Sequence, residues 1–456
     1  MAHQEKGKMS SNPPDSEHRP GETTAISKSI NELLPNELLA DIFATAMIDF
    51  LPEDHRSFLA LVCSTCRRWR DVAIEASELW TTIYIHNQKH IPAAELFLER
   101  SKTQLLDVDV EVDAYFEGFG YDADTLRVAE LTSAHLERTR TLSLSLSDVQ
   151  GVTSFSTLYQ LVSTPHLVSL SVDIPGWSQG IIPFLESVCA FSSDGNDSLH
   201  SNRISISSLT RLELTASVHH DLEQEDLRNI FAYFPSLETL ILPKLAGKSV
   251  LEEDQEDRPT MLAPSSLRSL AVHLGTDHVY NTSPCFCVLG SVRFQNLEYL
   301  EVLGKNSSHI NLGSHFKGLS KLKTLHLEQC FVPPLDDEFF PSLKLLNHLE
   351  LVDNLSHVKW FTESSPAIVS LPFPHLSSIS LGDRSRKNRD MSQWARLARL
   401  AVQNAGCTQF SVKVTAQHQY SMACALSSQD EGICVEVQDY PSGLLPPGLV
   451  SYWSGR

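Results

Sequence analysis

The chain has 456 residues, 42% of them hydrophobic and 20% charged, with a formal net charge of −20. That length exceeds one compact core and predicts several domains or an extended repeat array. Its acidity argues against phosphate backbones and anionic lipid as partners, so neither nucleic acid nor membrane is expected.

No charged-then-apolar leader opens the sequence, and no run reaches the ~18 apolar residues that a spanning helix needs. A cytoplasmic or nuclear protein is therefore expected. Its nine scattered cysteines fit reduced thiols. In that compartment the N-x-S/T matches at Asn196, Asn281, Asn306 and Asn354 are chance. The basic run Arg384–Arg389 is best explained as a solvated loop.

In chain order, residues 1–28 are polar, proline-containing and aperiodic, the composition of a disordered tail. Helical spacing begins at Pro35, with Leu38, Leu39, Ile42, Phe43, Ala46 and Met47. Proline costs nothing at a first helical turn. After a break at Leu51–Asp54, two shorter helical patterns follow: Phe58, Leu61 and Val62, then Trp69, Val72, Ala73 and Ala76. Leu79-Trp80 closes this helical unit, placed at residues 29–80, which is too small to be very stable alone.

Beyond Thr81 a pattern L-x-x-L-x-L recurs, with Ile or Val allowed at later positions. It starts at Leu167, Leu209, Leu237, Leu267, Leu297, Leu322, Leu346 and Leu376. Weaker strand-like runs flank it at Ile83/Ile85, Val108/Val110/Val112, Leu142/Leu144/Leu146 and Phe410/Val412/Val414. Prolines at 165, 235 and 374 sit just before units, where they stop a helix and start an extended strand. One strand with three aliphatic side chains cannot bury them alone, whereas stacked copies make a continuous column. Self-similarity near this period is the signature of a leucine-rich repeat solenoid. It predicts an α/β fold with a curved parallel sheet over residues 81–415 and a C-terminal cap or tail over 416–456. Cys330 and Asn354, three residues after Leu327 and Leu351, stand where such repeats place a side chain that bonds turn backbone. Helices are expected between strands, as at Asp226–Phe234, and Phe191–Arg203 is expected to be an exposed insertion.

No site of chemistry emerges. Cys63-x-x-Cys66 lacks the second ligand pair of a structural zinc site, Cys285-x-Cys287 is far away, and buried thiols are expected at the first pair. His219-His220 has no H-E-x-x-H context, and the acidic runs at 252–254 and 336–338 fall in loops. Phosphate-binding glycine loops and a G-x-S-x-G elbow are absent. The expectation is no catalytic residue, no metal and no cofactor.

Leu34-Pro35-Asn36-Glu37-Leu38-Leu39, Ile42-Phe43, Val62-Cys63, Cys66-Arg67-Arg68-Trp69-Arg70 and Leu79-Trp80 together resemble an F-box. Two separated blocks agree in order over about 50 residues, with a spacer after Phe43 roughly one helical turn longer than the family pattern. The resemblance implies docking on a Skp-type adaptor and, through it, a cullin-based ubiquitin ligase. Carried over by position, Leu34, Pro35, Leu38, Leu39, Ile42, Phe43, Val62, Cys63 and Trp69 form the unit's core or its adaptor-facing surface. The repeats would then hold a protein substrate. Alternation along each strand turns Arg211, Glu213, Thr239, Ile241, Ser269, Ala271, Tyr299, Glu301, Thr324, His326, Glu328, His348 and Glu350 outward. The substrate-face candidates among them are Arg211, Glu213, Tyr299, Glu301, His326, Glu328 and Glu350, a mixed face suited to a basic segment. An interaction scaffold that delivers nothing for degradation is the alternative reading.

Overall fold

A computed structural model of the chain describes residues 33–112 (save 49), 123–174 (save 147, 148, 160, 161 and 163), 184–185, 208–214, 222–245 (save 223), 261–274, 288–331 (save 310, 311 and 317), 339–352, 373–382, 391–405, 409–426 and 430–438 (save 431). The polar tail, the insertion at 191–203, the basic run at 384–389, both loop acidic runs, His219-His220, Cys285, Cys287 and Asn354 lie outside the described residues.

Among the described residues three helices come first: α1 (Asn36–Met47), α2 (Pro52–Thr65) and α3 (Arg67–Glu75). Pro35 stays extended just before α1, and its carbonyl accepts the Leu39 amide at 3.2 Å. Pro52 occupies the first turn of α2, where Glu53 and Asp54 also complement the helix dipole. Cys66 is extended between α2 and α3, and its Sγ accepts the Trp69 amide. A buried thiol was expected there; the structure leaves Cys66 exposed, because a capping residue lies outside the helix that it caps.

Strands follow in one long series. They are β1 (Thr82–Ile85), β2 (Leu106–Val112), β3 (Thr139–Leu146), β4 (Ser169–Asp173), β5 (Arg211–Leu214), β6 (Thr239–Leu245), β7 (Met261–Leu262), β8 (Ser269–Leu274), β9 (Val292–Arg293), β10 (Tyr299–His309), β11 (Thr324–Phe331), β12 (His348–Val352), β13 (Ser378–Gly382), β14 (Phe410–Val414) and β15 (Ile433–Val437). Between them run α4 (Ile91–Arg100), α5 (Ala123–Ser133), α6 (Val149–Tyr159), α7 (Gln224–Tyr233), the short α8 (Leu312–His315) and α9 (Phe339–Ser342), α10 (Ser392–Ala405) and α11 (Ala416–Ala425). Among the described residues thirteen strands form one sheet in chain order, while β7 and β9 pair separately. Every pairing in the large sheet is parallel, so each crossover passes over one face.

The local rule behind this order is visible at the first leucine of six of the eight units. Amides of Leu167, Leu237, Leu267, Leu322, Leu346 and Leu376 each bond the carbonyl three residues back, a repeated turn that feeds the strand. The two leucine-type positions inside each strand then stand in register across the sheet. Leu240/Leu242, Leu270/Val272, Leu300/Val302, Leu325/Leu327 and Leu349/Leu351 form part of one buried layer. Cys330 is buried at the end of β11, and its Sγ donates to the Val302 carbonyl of the neighbouring strand at 3.2 Å. The apolar cluster runs without a break from Leu39 in α1 to Met422 in α11.

Candidate functional site

The first candidate surface is on the three N-terminal helices. Helix α1 turns Leu39, Ala40, Phe43 and Met47 into the core and leaves Leu38 (48% exposed) and Ile42 (50% exposed) on its outer side. Leu33, Ile48, Phe50, Leu51 and Leu61 are also exposed. Of the nine residues carried over from the F-box pattern, Leu39, Phe43 and Val62 are buried, Leu34, Cys63 and Trp69 are half-buried, and Pro35, Leu38 and Ile42 are open. Spacing alone did not make that division, because the F-box pattern fixes the residue types at these positions and not which of them face the core.

The shape of this unit is held by α3. The Arg68 guanidinium donates to the Leu34 carbonyl and to Asn36 Oδ1, tying α3 to the start of α1. Arg70 Nε donates to the Cys63 carbonyl at 2.8 Å. Phe43 and Trp69 rings pack with centroids 5.1 Å apart. Burial, against the charges of Arg100 and Arg70, keeps the Cys63 thiol above its ordinary range, so it is not a thiolate at neutral pH. Trp80 then joins the unit to the sheet: its Nε1–H donates to the Ala73 carbonyl, its ring meets Phe97 edge-on, and Arg100 lies 4.3 Å over it.

The second candidate surface is the face of the sheet away from the leucine layer. Here the structure corrects the expectation of an open face along its whole length. Ile241, Ala271, Glu301, His326 and Glu328 are all buried. Glu301, His326 and Glu350 are register partners on adjacent strands, close enough to screen one another's charge. His326 Nδ1 donates to Glu350 Oε2 at 2.7 Å, and His348 Nε2 donates to Glu350 Oε1 at 2.9 Å. Nδ1 of His348 and Ser378 Oγ are hydrogen-bonded at 2.6 Å. Tyr299 donates to Glu301 at 3.0 Å. Burial alone would lower the His326 imidazole, but the carboxylates of Glu328, Glu350 and Glu301 outweigh it and hold it at about 9. Burial alone would raise Glu350, and the two histidines instead bring its carboxyl down to about 2. This stretch already contains its own cation.

Arg211 and Glu213, by contrast, lie on the half-buried stretch between β1 and β5 and pair at 3.2 Å. The sequence reading missed their neighbours Asp109, Glu111 and Asp173. The alternation LDVDVEV in β2 was the available signal.

With this geometry in place, residues 32–86 match the family model described as F-box-like. The chain carries an F-box-like domain there. No curated protein matches the chain. Among the described residues no helix is long and apolar enough to cross a membrane.

Proposed function

We propose that the chain is a non-catalytic substrate-recognition subunit of a cullin-type ubiquitin ligase. Its F-box-like helices dock on a Skp-type adaptor, and the strands behind them, read as an irregular leucine-rich repeat solenoid, hold a protein substrate. The observation that carries this reading is the open aliphatic patch around Leu38 and Ile42 on a domain that matches the F-box-like family. A small helical unit with such a patch gains by burying it on another protein. A parallel sheet in chain order, six of whose strands are entered through the same turn, supports the solenoid reading.

The test is a pull-down of adaptor and cullin by the full chain and by Pro35→Ala with Leu38→Glu. Both side chains are exposed, so the double variant should keep the wild-type melting curve and lose the adaptor. Adaptor capture at wild-type affinity by the variant would remove the reading. Purification under proteasome inhibition would then identify the bound substrate, and its accumulation when the protein is lost would separate delivery from scaffolding.

A further inference from the structure

Near its N-terminal edge the outward face of the sheet differs from that on β8 and β13. Strands β2, β4 and β5, and β3 from Thr141 on, alternate between buried and half-buried residues, whereas both faces of β8 and β13 are largely covered. One outward row runs Asp109, Ser143, Ser171, Glu213 in register. The next row runs Glu111, Ser145, Asp173. Serine side chains stop one atom beyond Cβ, so the serines make a floor between taller carboxylates. From β2 to β5 the trough spans three strand spacings, about 14 Å, room for one extended chain.

The walls carry four carboxylates. His86 reaches Glu111 at 2.5 Å and Asp109 at 3.4 Å, and Arg211 reaches Glu213 at 3.2 Å. Asp173 makes no ion pair among the described residues, and the set as a whole exceeds one imidazole and one guanidinium. Tyr84 and His86 stack at 3.6 Å beside β2, adding aromatic faces of the kind that attract guanidinium and ammonium groups.

We propose that this serine-floored trough across β2–β5 docks an extended, Lys/Arg-rich segment of a protein partner. The proposal rests on the reading of the sheet as the substrate-holding surface and moves that surface away from β10–β12, which supplies its own cation. Charge complementarity selects the occupant: an extended chain presents a side chain on one face every second residue, matching the spacing of the two acidic rows. The uncomplexed trough bears a cost that a cation would relieve. Burial, then the charges of Glu111 and Glu213, push the Asp173 carboxyl up to about 6.

The experiment follows fluorescence anisotropy of a fluorescein-labelled (Arg-Ser)6 peptide with the full chain, using (Glu-Ser)6 as the control probe. Asp109→Ser with Glu111→Ser and Asp173→Asn should weaken (Arg-Ser)6 binding at least ~10-fold, while Glu238→Gln with Glu298→Gln elsewhere on the surface should change it less than ~2-fold. Asp173→Asn alone is isosteric and removes a repulsion, so it keeps the fold and should weaken binding by itself. No binding of (Arg-Ser)6, or equal weakening by the surface pair, would overturn the proposal, since the second result means diffuse attraction to an acidic chain. Adaptor capture is measured in parallel on the same variants and should not change. A wild-type chain that binds the peptide but no adaptor would sink the ligase reading and leave the trough standing.

Discussion

His326 lies fully buried between carboxylates on three strands, and its charge state is tied to the stability of that stretch. Its folded-state value is raised from 6.5 to about 9, so its contribution is complete below pH 6.5 and is lost as pH rises towards 9. Glu350 is lowered from 4.5 to about 2, so its contribution is complete above pH 4.5 and is lost as pH falls towards 2. The paired contribution is therefore greatest between pH 4.5 and 6.5. Comparing denaturant midpoints of the wild type and His326→Gln from pH 5 to 9 should show the difference shrinking as pH rises. A constant difference would mean that His326 acts through packing alone. Asp173 runs the other way: its carboxyl is raised, so Asp173→Asn should stabilise the chain above pH 6, where the wild-type residue is ionised.

At the scale of the element, each strand is a two-sided object whose faces carry unequal energy. Leu325 in β11 is completely buried in the leucine layer, between Leu300 and Leu349. Leu325→Ala should cost ~2–5 kcal/mol by emptying that site. Thr324, one position earlier and half-buried, should cost about 0.5 kcal/mol or less on truncation to alanine. Equal shifts in denaturant midpoint would contradict the register. The repeating L-x-x-L-x-L spacing located the described strands that carry it, because period-two alternation and a fixed turn leave little freedom in where a strand starts. It did not locate β15, whose residues Ile433–Val437 are only partly buried at the sheet's end and follow a weaker pattern.

Across the whole molecule, the F-box-like helices and the sheet share one apolar core. Trp80 links them, Lys102 Nζ donates to the Glu75 carbonyl, and Tyr84 in β1 donates to Glu53 in α2 at 3.2 Å. The helical unit therefore covers the first strand as well as presenting its outer patch. Deleting residues 1–80 should lower the melting temperature of the remaining chain by about 5 °C or more, because Ile83, Ile85 and Phe97 lose their cover. An unchanged melting curve would mean that the sheet needs no cap at that edge. The shared core also sets the β2–β5 trough close to the F-box-like domain, since β1, at the end of that domain, pairs with β2.

Periodicity by itself determined three helices in the F-box-like unit, though the second begins at Pro52 inside the expected break, and the strands of the large sheet from Ile83 to Val414 with their leucine layer, but not β7 or β9, since these depend on local spacing and on apolar area that must be buried. Sequence also placed all nine F-box positions in two separated blocks that agree in order with the family pattern. Only the tertiary structure separated Leu38 and Ile42 from Leu39 and Phe43, because solvent exposure depends on where α3 and Trp80 close the unit. It likewise decided which part of the outward face is open. Alternation says which side of a strand a residue points to, and it says nothing about what stands on that side. Glu301 and Asp109 are equivalent by pattern, yet one is buried beside His326 and the other is half-open above a row of serines.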